Sequence, residues 1–157
     1  MPINYLEGDA TQPVGDGPKI IVHVCNDIGG WGKGFVVAIS KRWKEPEAQY
    51  RRWHKEGGDI PFERGQVQFV EAEDELWIAN MIGQEGIRRK GGKAPVRYEA
   101  IGAGLEKVGV FAVEHSASVH MPRIGCGLAG GKWEEIEPLI EKALLFRGIE
   151  TTVYDFV

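Results

Sequence analysis

Cysteine, long apolar segments and metal-ligand motifs are scarce or missing in this chain, and each absence narrows what the protein is. Only two cysteines occur, Cys25 and Cys126, too few for the disulfide framework of a small secreted protein. No stretch approaches the roughly 18 apolar residues of a transmembrane helix, and the N-terminus lacks a signal-peptide pattern. We therefore expect a cytoplasmic protein with reduced thiols. No cluster of His, Cys, Asp or Glu has metal-ligand spacing, so we expect neither a metal nor another cofactor.

An excess of positive charge is also missing. The chain has 19 lysines and arginines against 23 acidic residues, which gives a net charge of −4. A protein that coats nucleic acid normally carries a broad basic face, so we predict no such surface and no membrane partner. A small anion held by backbone donors remains open. At 157 residues the chain is long enough to bury a core as one domain over 1–157.

Helical and extended patterns alternate along the chain. A nearly continuous apolar run at 20–25 is typical of a central strand that is covered on both faces. Two strands are separated only by 71–75, which is too short for a crossover helix and predicts an antiparallel hairpin. We therefore predict an α/β fold, a three-layer α/β/α sandwich around a mixed, mostly parallel sheet. The predicted strands are 3–7, 20–25, 66–70, 76–81, 119–122 and 151–156, and the predicted helices are 34–43, 45–57, 97–115 and 133–146.

Glycine is abundant. Twenty-two of the 157 residues are glycine, about twice the ordinary share of about 7%. They cluster in two loops that each follow an apolar strand and precede a helix, Asn26–Gly34 and Gly125–Gly131. Glycine lets a backbone approach a ligand closely, and free N–H groups at a helix N-terminus favour an anion. Two such loops suggest a ligand with more than one phosphate. Neither loop has the spacing of a dinucleotide fingerprint or of a P-loop.

Three short segments together resemble the macro domain, an ADP-ribose-binding module. They are Gly8-Asp9-Ala10-Thr11, the loop at Asn26–Gly34 and Pro122-Arg123-Ile124-Gly125-Cys126-Gly127. The resemblance spans essentially the whole chain. The stretch 121–133 and the closing Thr152-Val153-Tyr154 look particularly like the branch that contains the terminal ADP-ribose protein glycohydrolase.

The resemblance implies a role for each segment. Asp9 would accept a hydrogen bond from the adenine amino group, with Ala10 beside it, and Asn26 would contact the distal ribose hydroxyls. One glycine loop would wrap the distal ribose and one phosphate, and the other would cradle the diphosphate through backbone N–H groups. The implied loop contacts are Gly29, Gly30, Trp31, Gly32, Lys33 and Gly34 in the first loop, and Ile124, Gly125, Cys126, Gly127 and Leu128 in the second.

The chain departs from that branch at its catalytic pair. The terminal ADP-ribose glycohydrolase uses a lysine after the fourth strand and an aspartate in the second glycine loop. The matching positions here are Gly83 or Gln84, and Ala129. This leaves Asn26 and Asp27 as the candidate catalytic residues, and it makes Lys90 or Lys93 relevant if the glycine-rich, basic loop at 83–95 is mobile and folds over the site.

Each assignment has a simpler alternative. An aspartate in the position of Asp9 often caps a turn, and residues of the types at Asn26 and Asp27 often cap loops. Cys126 is more simply an inert, buried thiol than a nucleophile, since no histidine is an evident partner. Trp31 is expected to be exposed as a contact to the ribose or as part of a lid. The basic run at 88–93 is either a solvated loop or a flap for the diphosphate or the modified partner.

The implied function is hydrolysis of ADP-ribosyl esters on the acidic side chains of modified proteins. Two alternatives stay open. The first is a non-catalytic reader of ADP-ribose on ADP-ribosylated macromolecules, and the second is a hydrolase of ADP-ribose 1''-phosphate or O-acetyl-ADP-ribose.

Overall fold

The computed structural model describes residues 2–156 and contains six strands, four helices and two short 3₁₀ turns. The helices are α1 Phe35–Arg42, α2 Glu45–Glu56, α3 Tyr98–His115 and α4 Trp133–Ala143, and the 3₁₀ turns lie at Gly127–Ala129 and Leu145–Arg147. The strands are β1 Asn4–Glu7, β2 Lys19–Asn26, β3 Val67–Glu73, β4 Leu76–Gln84, β5 Ser118–Met121 and β6 Thr151–Asp155.

All six strands belong to one sheet with the order β1-β6-β5-β2-β4-β3. Every neighbouring pair is parallel except β3 and β4, which form the predicted antiparallel hairpin. The predicted mixed, mostly parallel sheet is therefore confirmed. Because β1, β2, β4, β5 and β6 run the same way, their carboxyl ends reach one edge, where open α/β sheets bind ligands.

The side-chain alternation of β2 explains the three layers. Ile20 and Val22 point to one face and belong to an apolar cluster with α3 and α4, while Ile21 and Cys25 point to the other face and pack with α1 and α2. All four side chains are at most 3% exposed. A strand covered on both faces needs apolar residues at successive positions, which is the pattern that predicted a central strand here. The α/β/α sandwich is confirmed.

Two predicted boundaries change for physical reasons. The last helix ends at Ala143 instead of continuing to 146, because the chain tightens into the 3₁₀ turn at Leu145–Arg147 and reverses at Gly148, whose φ is 76°. Strand β4 continues to Gln84, three residues beyond its predicted end, because it keeps pairing with β2 as far as Asn26. This extension carries β4 to the same edge as the first glycine loop.

Within residues 2–156, no helix is both long and apolar enough for a membrane span. The same residues contain no group of three or more His, Cys, Asp or Glu side chains placed to hold a metal ion.

Candidate ADP-ribose site

Loops from β2, β4 and β5 meet at the carboxyl edge of the sheet. The N–H of Gly86 donates to Asp27 Oδ1 at 2.8 Å, which joins the β4 loop to the first glycine loop. The N–H of Val96 donates to the carbonyl of Ala129 at 3.1 Å, which joins the β4 loop to the second glycine loop. The two glycine loops also adjoin, since a Cβ on Gly34 would lie 3.6 Å from Leu128 Cδ1. The structure therefore brings both predicted phosphate loops into one place.

Asn26 organises the first glycine loop from within. Its Oδ1 accepts hydrogen bonds from the N–H groups of Ile28 and Gly30, at 3.0 and 2.9 Å, and its Nδ2 donates to the Gly30 carbonyl at 2.9 Å. Tyr50 of α2 donates its hydroxyl to the Asn26 carbonyl at 2.6 Å. The simpler interpretation, a loop-capping asparagine, is confirmed. Only one Nδ2–H has no acceptor within residues 2–156, and it is the one donor this side chain can still offer a ribose.

The Trp31 prediction is wrong for the indole, which was expected to be exposed. Trp31 is 7% exposed, its Nε1 donates to Ser40 Oγ at 2.7 Å, and its ring packs edge-on against His23 at 5.3 Å. The indole belongs to the hydrophobic core because it fills the space between β2 and α1. Its burial also anchors the first glycine loop. Only its backbone remains a candidate ligand contact. Gly32, Lys33 and Gly34 are exposed beside it.

The second glycine loop has a rigid base and an open tip. Gly125 has a φ of 74°, and a Cβ there would lie 2.7 Å from Ile136 and 2.9 Å from Ile101. A larger residue is therefore excluded by both conformation and space. Gly127 and Leu128 are exposed, and within residues 2–156 their N–H groups donate to no protein acceptor. The arrangement suits an anion bound by backbone donors.

Cys126 lies between these parts and is half-buried. Burial raises the pKa of its thiol, although Arg123 nearby acts in the opposite direction. Within residues 2–156 no histidine is hydrogen-bonded to it, and the buried rings of His23 and His120 are bonded instead to Asn80 and Tyr154. A raised pKa makes this thiol a poor nucleophile. The predicted buried thiol is only half-buried in the structure.

Asp9 uses one carboxylate oxygen to cap its own turn. Its Oδ1 accepts from the N–H and the hydroxyl of Thr11, at 2.8 and 2.7 Å. Its Oδ2 lies 3.8 Å from Arg42 at the end of α1. The capping alternative is therefore confirmed, and it does not compete with the adenine contact, since Oδ2 keeps acceptor capacity. Ala10 beside it is 3% exposed.

Phe156 is a candidate that the sequence analysis missed. It was predicted to lie within the last strand, but β6 ends at Asp155 and the Phe156 side chain is 83% exposed. The N–H of Gly8 donates to the Asp155 carbonyl at 2.8 Å, so Phe156 adjoins the Asp9 turn. An exposed aromatic ring in this part of the edge is suited to pack on a planar base. The signal was an aromatic residue one position after the strand that pairs with β1.

The β4 loop is a hydrogen-bonded hairpin, which we call the basic protrusion (residues 85–96). Glu85 and Pro95 close its base, and Lys90 and Lys93 pair at its tip. The buried Arg97 holds the base by donating to Glu85 and to three carbonyls, and its bond lowers the pKa of Glu85. Four exposed cations lie on it, and none has a carboxylate within 4.0 Å among residues 2–156: Arg88, Arg89, Lys90 and Lys93.

The two positions that match the missing lysine, Gly83 and Gln84, differ in the room around them. A Cβ on Gly83 would lie 2.9 Å from Ile101 and 3.0 Å from Val24, so a side chain there would require these neighbours to shift. Gln84 ends β4 and donates its Nε2 to the Gly86 carbonyl at 2.9 Å, at the loop edge. Ala129 is 6% exposed in the second loop. At both positions the chain lacks an ionisable side chain.

Solved structures with the same fold identify the family. A macrodomain protein from Streptomyces coelicolor is 56% identical, has a TM-score of 0.87, and is matched over 98% of each chain. The chain belongs to the macrodomain family. A protein of unknown function from Bacteroides thetaiotaomicron is 54% identical with a TM-score of 0.96 and covers 100% of this macrodomain. No protein-family profile matches the sequence.

Curated relatives of this macrodomain are larger or more distant. The zebrafish chromodomain-helicase-DNA-binding protein 1-like is 36% identical over 97% of this chain, and the chain spans 15% of its length. The bovine ADP-ribose glycohydrolase OARD1 is 25% identical over 97% of the chain. The DNA ADP-ribosyl glycohydrolase of Mycobacterium tuberculosis is 26% identical over 90% of the chain, and the chain spans 38% of it. The chain is thus distantly homologous to ADP-ribosyl hydrolases.

Proposed function

We propose that this macrodomain binds ADP-ribose and hydrolyses the ester that joins its distal ribose to an acidic side chain of a modified protein. The observation that carries the proposal is the meeting of both glycine loops at one sheet edge, with open backbone donors at Gly127 and Leu128. An acceptor, Asp9, lies at the end of β1 on the same edge. Family membership supports the choice of ligand.

In the proposed complex, each part of ADP-ribose has its own contact. Oδ2 of Asp9 accepts from the adenine amino group, and the ring of Phe156 packs on the base. The segment Ile124–Leu128 holds the diphosphate through backbone N–H groups, as helix and loop termini hold anions. The loop Gly29–Gly34 surrounds the distal ribose, and the remaining Nδ2–H of Asn26 donates to a ribose hydroxyl.

The reaction is attack of a water on the anomeric carbon of the distal ribose. The bond from that carbon to the carboxylate oxygen breaks, and the carboxylate leaves with its electron pair, so no strong protein acid is needed. Asp27, or a phosphate of the substrate, orients the water and takes its proton. The protein contributes mainly position, because the loops fix the ribose with its anomeric carbon towards the water.

The test is incubation with glutamate-linked ADP-ribosylated peptide, with release of free ADP-ribose measured beside calorimetric binding of ADP-ribose. Release together with binding supports the hydrolase. Binding without release would contradict it and leave a reader of ADP-ribose, an alternative that Gln84 and Ala129 favour because they replace the catalytic pair of the related glycohydrolase. Release from O-acetyl-ADP-ribose or ADP-ribose 1''-phosphate alone would indicate a small-molecule enzyme.

A second candidate substrate is ADP-ribose attached to DNA. The basic protrusion favours it, because the protrusion carries four exposed cations, is tethered to the first glycine loop through Gly86 and Asp27, and places Arg89 beside Gly130 of the second loop. Phosphodiester backbones are bound by such cations. One relative is named a DNA ADP-ribosyl glycohydrolase. The patch is limited to one hairpin, so it suits a short single strand beside the site and not a coated duplex. An ADP-ribosylated oligonucleotide in the same release assay separates the two carriers.

A further inference from the structure

Arg123 is held between two aromatic rings and one carboxylate. Its guanidinium carbon lies 5.0 Å from the ring centres of both Tyr5 and Trp133. Its Nε and Nη2 donate to the two oxygens of Asp155 at 2.8 and 3.0 Å. Trp133 donates its Nε1 to the Tyr5 hydroxyl at 3.0 Å, and Tyr5 donates to Glu137. Bidentate pairing and ring stacking use the planar fork that only arginine has.

These contacts join two different parts of the site. Arg123 directly precedes the segment Ile124–Leu128, and Trp133 is the first residue of α4, two residues after Gly131 at the end of the loop. Both ends of the second glycine loop therefore enter the same cluster. Tyr5 belongs to β1 and Asp155 ends β6. The backbone carbonyl of Asp155 also accepts the N–H of Gly8 at 2.8 Å, next to the Asp9 turn and Phe156.

We infer that Arg123 is a positioning residue that fixes the distance and angle between the second glycine loop and the Asp9 edge, and thereby selects ligands long enough to span both. The inference rests on the proposed function, in which the adenine lies at Asp9 and the diphosphate in the loop. Arg123 contacts neither ligand group in this arrangement. It acts through the backbone that it holds.

The physical reason is the coupling of two weak sites by one ligand. Once adenine is bound, the diphosphate meets its loop at a high effective concentration only if the loop is already at the matching distance. A loop that moves relative to the Asp9 edge loses that advantage and must be ordered by the ligand. Fragments that reach only one site have no such advantage to lose.

The pKa shifts of Arg123 and Asp155 agree with the bidentate contact between them. Asp155 raises the pKa of Arg123, and Arg123 lowers the pKa of Asp155, so both groups carry charge near neutral pH. The pair is half-exposed, with side-chain exposures of 38% and 45%. A matched pair exists elsewhere, since Arg147 donates to Glu106 at 2.9 Å with exposures of 32% and 43%.

The experiment compares Arg123→Gln and Asp155→Asn with Arg147→Gln. Calorimetry measures ADP-ribose, and ligand-observed NMR measures adenosine and inorganic pyrophosphate, which each reach one site. We expect both cluster variants to weaken ADP-ribose binding about tenfold, a small part of the gain that linkage brings, and to change each fragment less than about twofold. Arg147→Gln should leave all three ligands unchanged. An equal loss for all ligands, or no loss for any, would overturn the inference.

Hydrogen exchange of the ligand-free protein separates this inference from the proposed function. Amide exchange of Gly130 and Gly131, whose N–H groups donate within the loop to the carbonyls of Gly127 and Gly125, should accelerate in Arg123→Gln and not in Arg147→Gln. If the wild-type protein binds no ADP-ribose, the proposed function fails, while exchange still decides whether Arg123 holds the loop. Unchanged exchange in Arg123→Gln overturns the positioning role directly.

Discussion

Asp27 and Gly86 join two loops that are 59 residues apart in the sequence, through a hydrogen bond of 2.8 Å from the Gly86 N–H to Asp27 Oδ1. The other carboxylate oxygen lies 3.8 Å from Arg64, and the side chain is 23% exposed. Asp27 therefore serves as a tether for the basic protrusion while one oxygen remains accessible. The two functions of this residue, tether and proposed water acceptor, are separable by substitution.

The variant Asp27→Asn keeps an oxygen that accepts from Gly86 but cannot take a proton from water. We expect its turnover to fall by about 100-fold, the lower range for loss of a general base, with unchanged affinity for ADP-ribose. Asp27→Ala also removes the tether and should weaken binding of the macromolecular substrate. Single-turnover release and calorimetry measure the two effects. Full turnover by Asp27→Asn would assign the water to a phosphate of the substrate.

Substitution of Asp9 by Asn tests the adenine contact without removing the turn cap. Asn retains an oxygen for the N–H and hydroxyl of Thr11, but it replaces Oδ2 by a donor. A buried adenine amino group would then face a second donor, so we expect ADP-ribose affinity to fall by about 10- to 100-fold. Asp16→Asn, in the neighbouring exposed loop, is the control. If calorimetry gives equal affinity for Asp9→Asn and wild type, the adenine assignment is wrong.

Substitution of Gly127 by Ala tests the diphosphate cradle. Gly127 has a φ of 66° with no atom within 4 Å of an added Cβ, so the change strains the backbone without a clash. Gly92, at the tip of the basic protrusion, has a φ of 78° and equally open space. Each variant should lose roughly 1 kcal/mol of unfolding free energy. Only Gly127→Ala should weaken ADP-ribose binding, by about tenfold, and a loss in Gly92→Ala of the same size would point to a general effect.

Neutralisation of the basic protrusion tests its role towards the carrier. The combined variant Arg88→Gln, Lys90→Gln and Lys93→Gln should raise KM for an ADP-ribosylated macromolecule about tenfold, with a smaller salt dependence, because phosphate contacts and their counterions are lost. Its calorimetric affinity for free ADP-ribose should stay within about twofold. The control is a second triple variant of equal net charge, in which Lys44, Lys55 and Lys142 are changed to Gln. Identical KM values in the two triple variants would show that the protrusion is a solvated loop.

The two buried histidines predict how stability depends on pH. Burial lowers the pKa of His23 and of His120 from 6.5 to about 4, and both side chains are at most 2% exposed. Between about pH 6.5 and 4 the unfolded chain binds these protons and the folded protein does not. Stability is therefore full above about pH 6.5 and falls as the pH decreases, by up to about 1.4 kcal/mol per pH unit for each histidine.

Urea unfolding at pH 7, 6, 5 and 4.5 measures this slope. His120→Gln removes one of the two groups and should reduce the slope between pH 6.5 and 4.5 by about half, whatever its effect on absolute stability. A slope that is the same in His120→Gln and in wild type would contradict the assignment.

Local patterns were sufficient for most of the fold. The apolar run of β2 and the short connection between the predicted strands 66–70 and 76–81 indicate a buried strand and a hairpin, because these choices depend on side-chain periodicity and chain length alone. The end of α4 and the extension of β4 were not predicted, since the first depends on a 3₁₀ turn and the second on pairing with β2. Trp31 was misjudged because its burial depends on how β2 and α1 pack around it, which places His23 and Ser40 against the indole.

The sequence by itself determined the α/β architecture and the two glycine loops, because strands, helices and glycine turns follow from neighbouring residues. Only the tertiary structure decided how those loops combine. The Asp27 tether, the Arg123 cluster and the exposed Phe156 beside the Asp9 turn all join residues more than 30 positions apart. Such contacts depend on which strand lies beside which, and the order β1-β6-β5-β2-β4-β3 places the ends of β1 and β6 together at one edge.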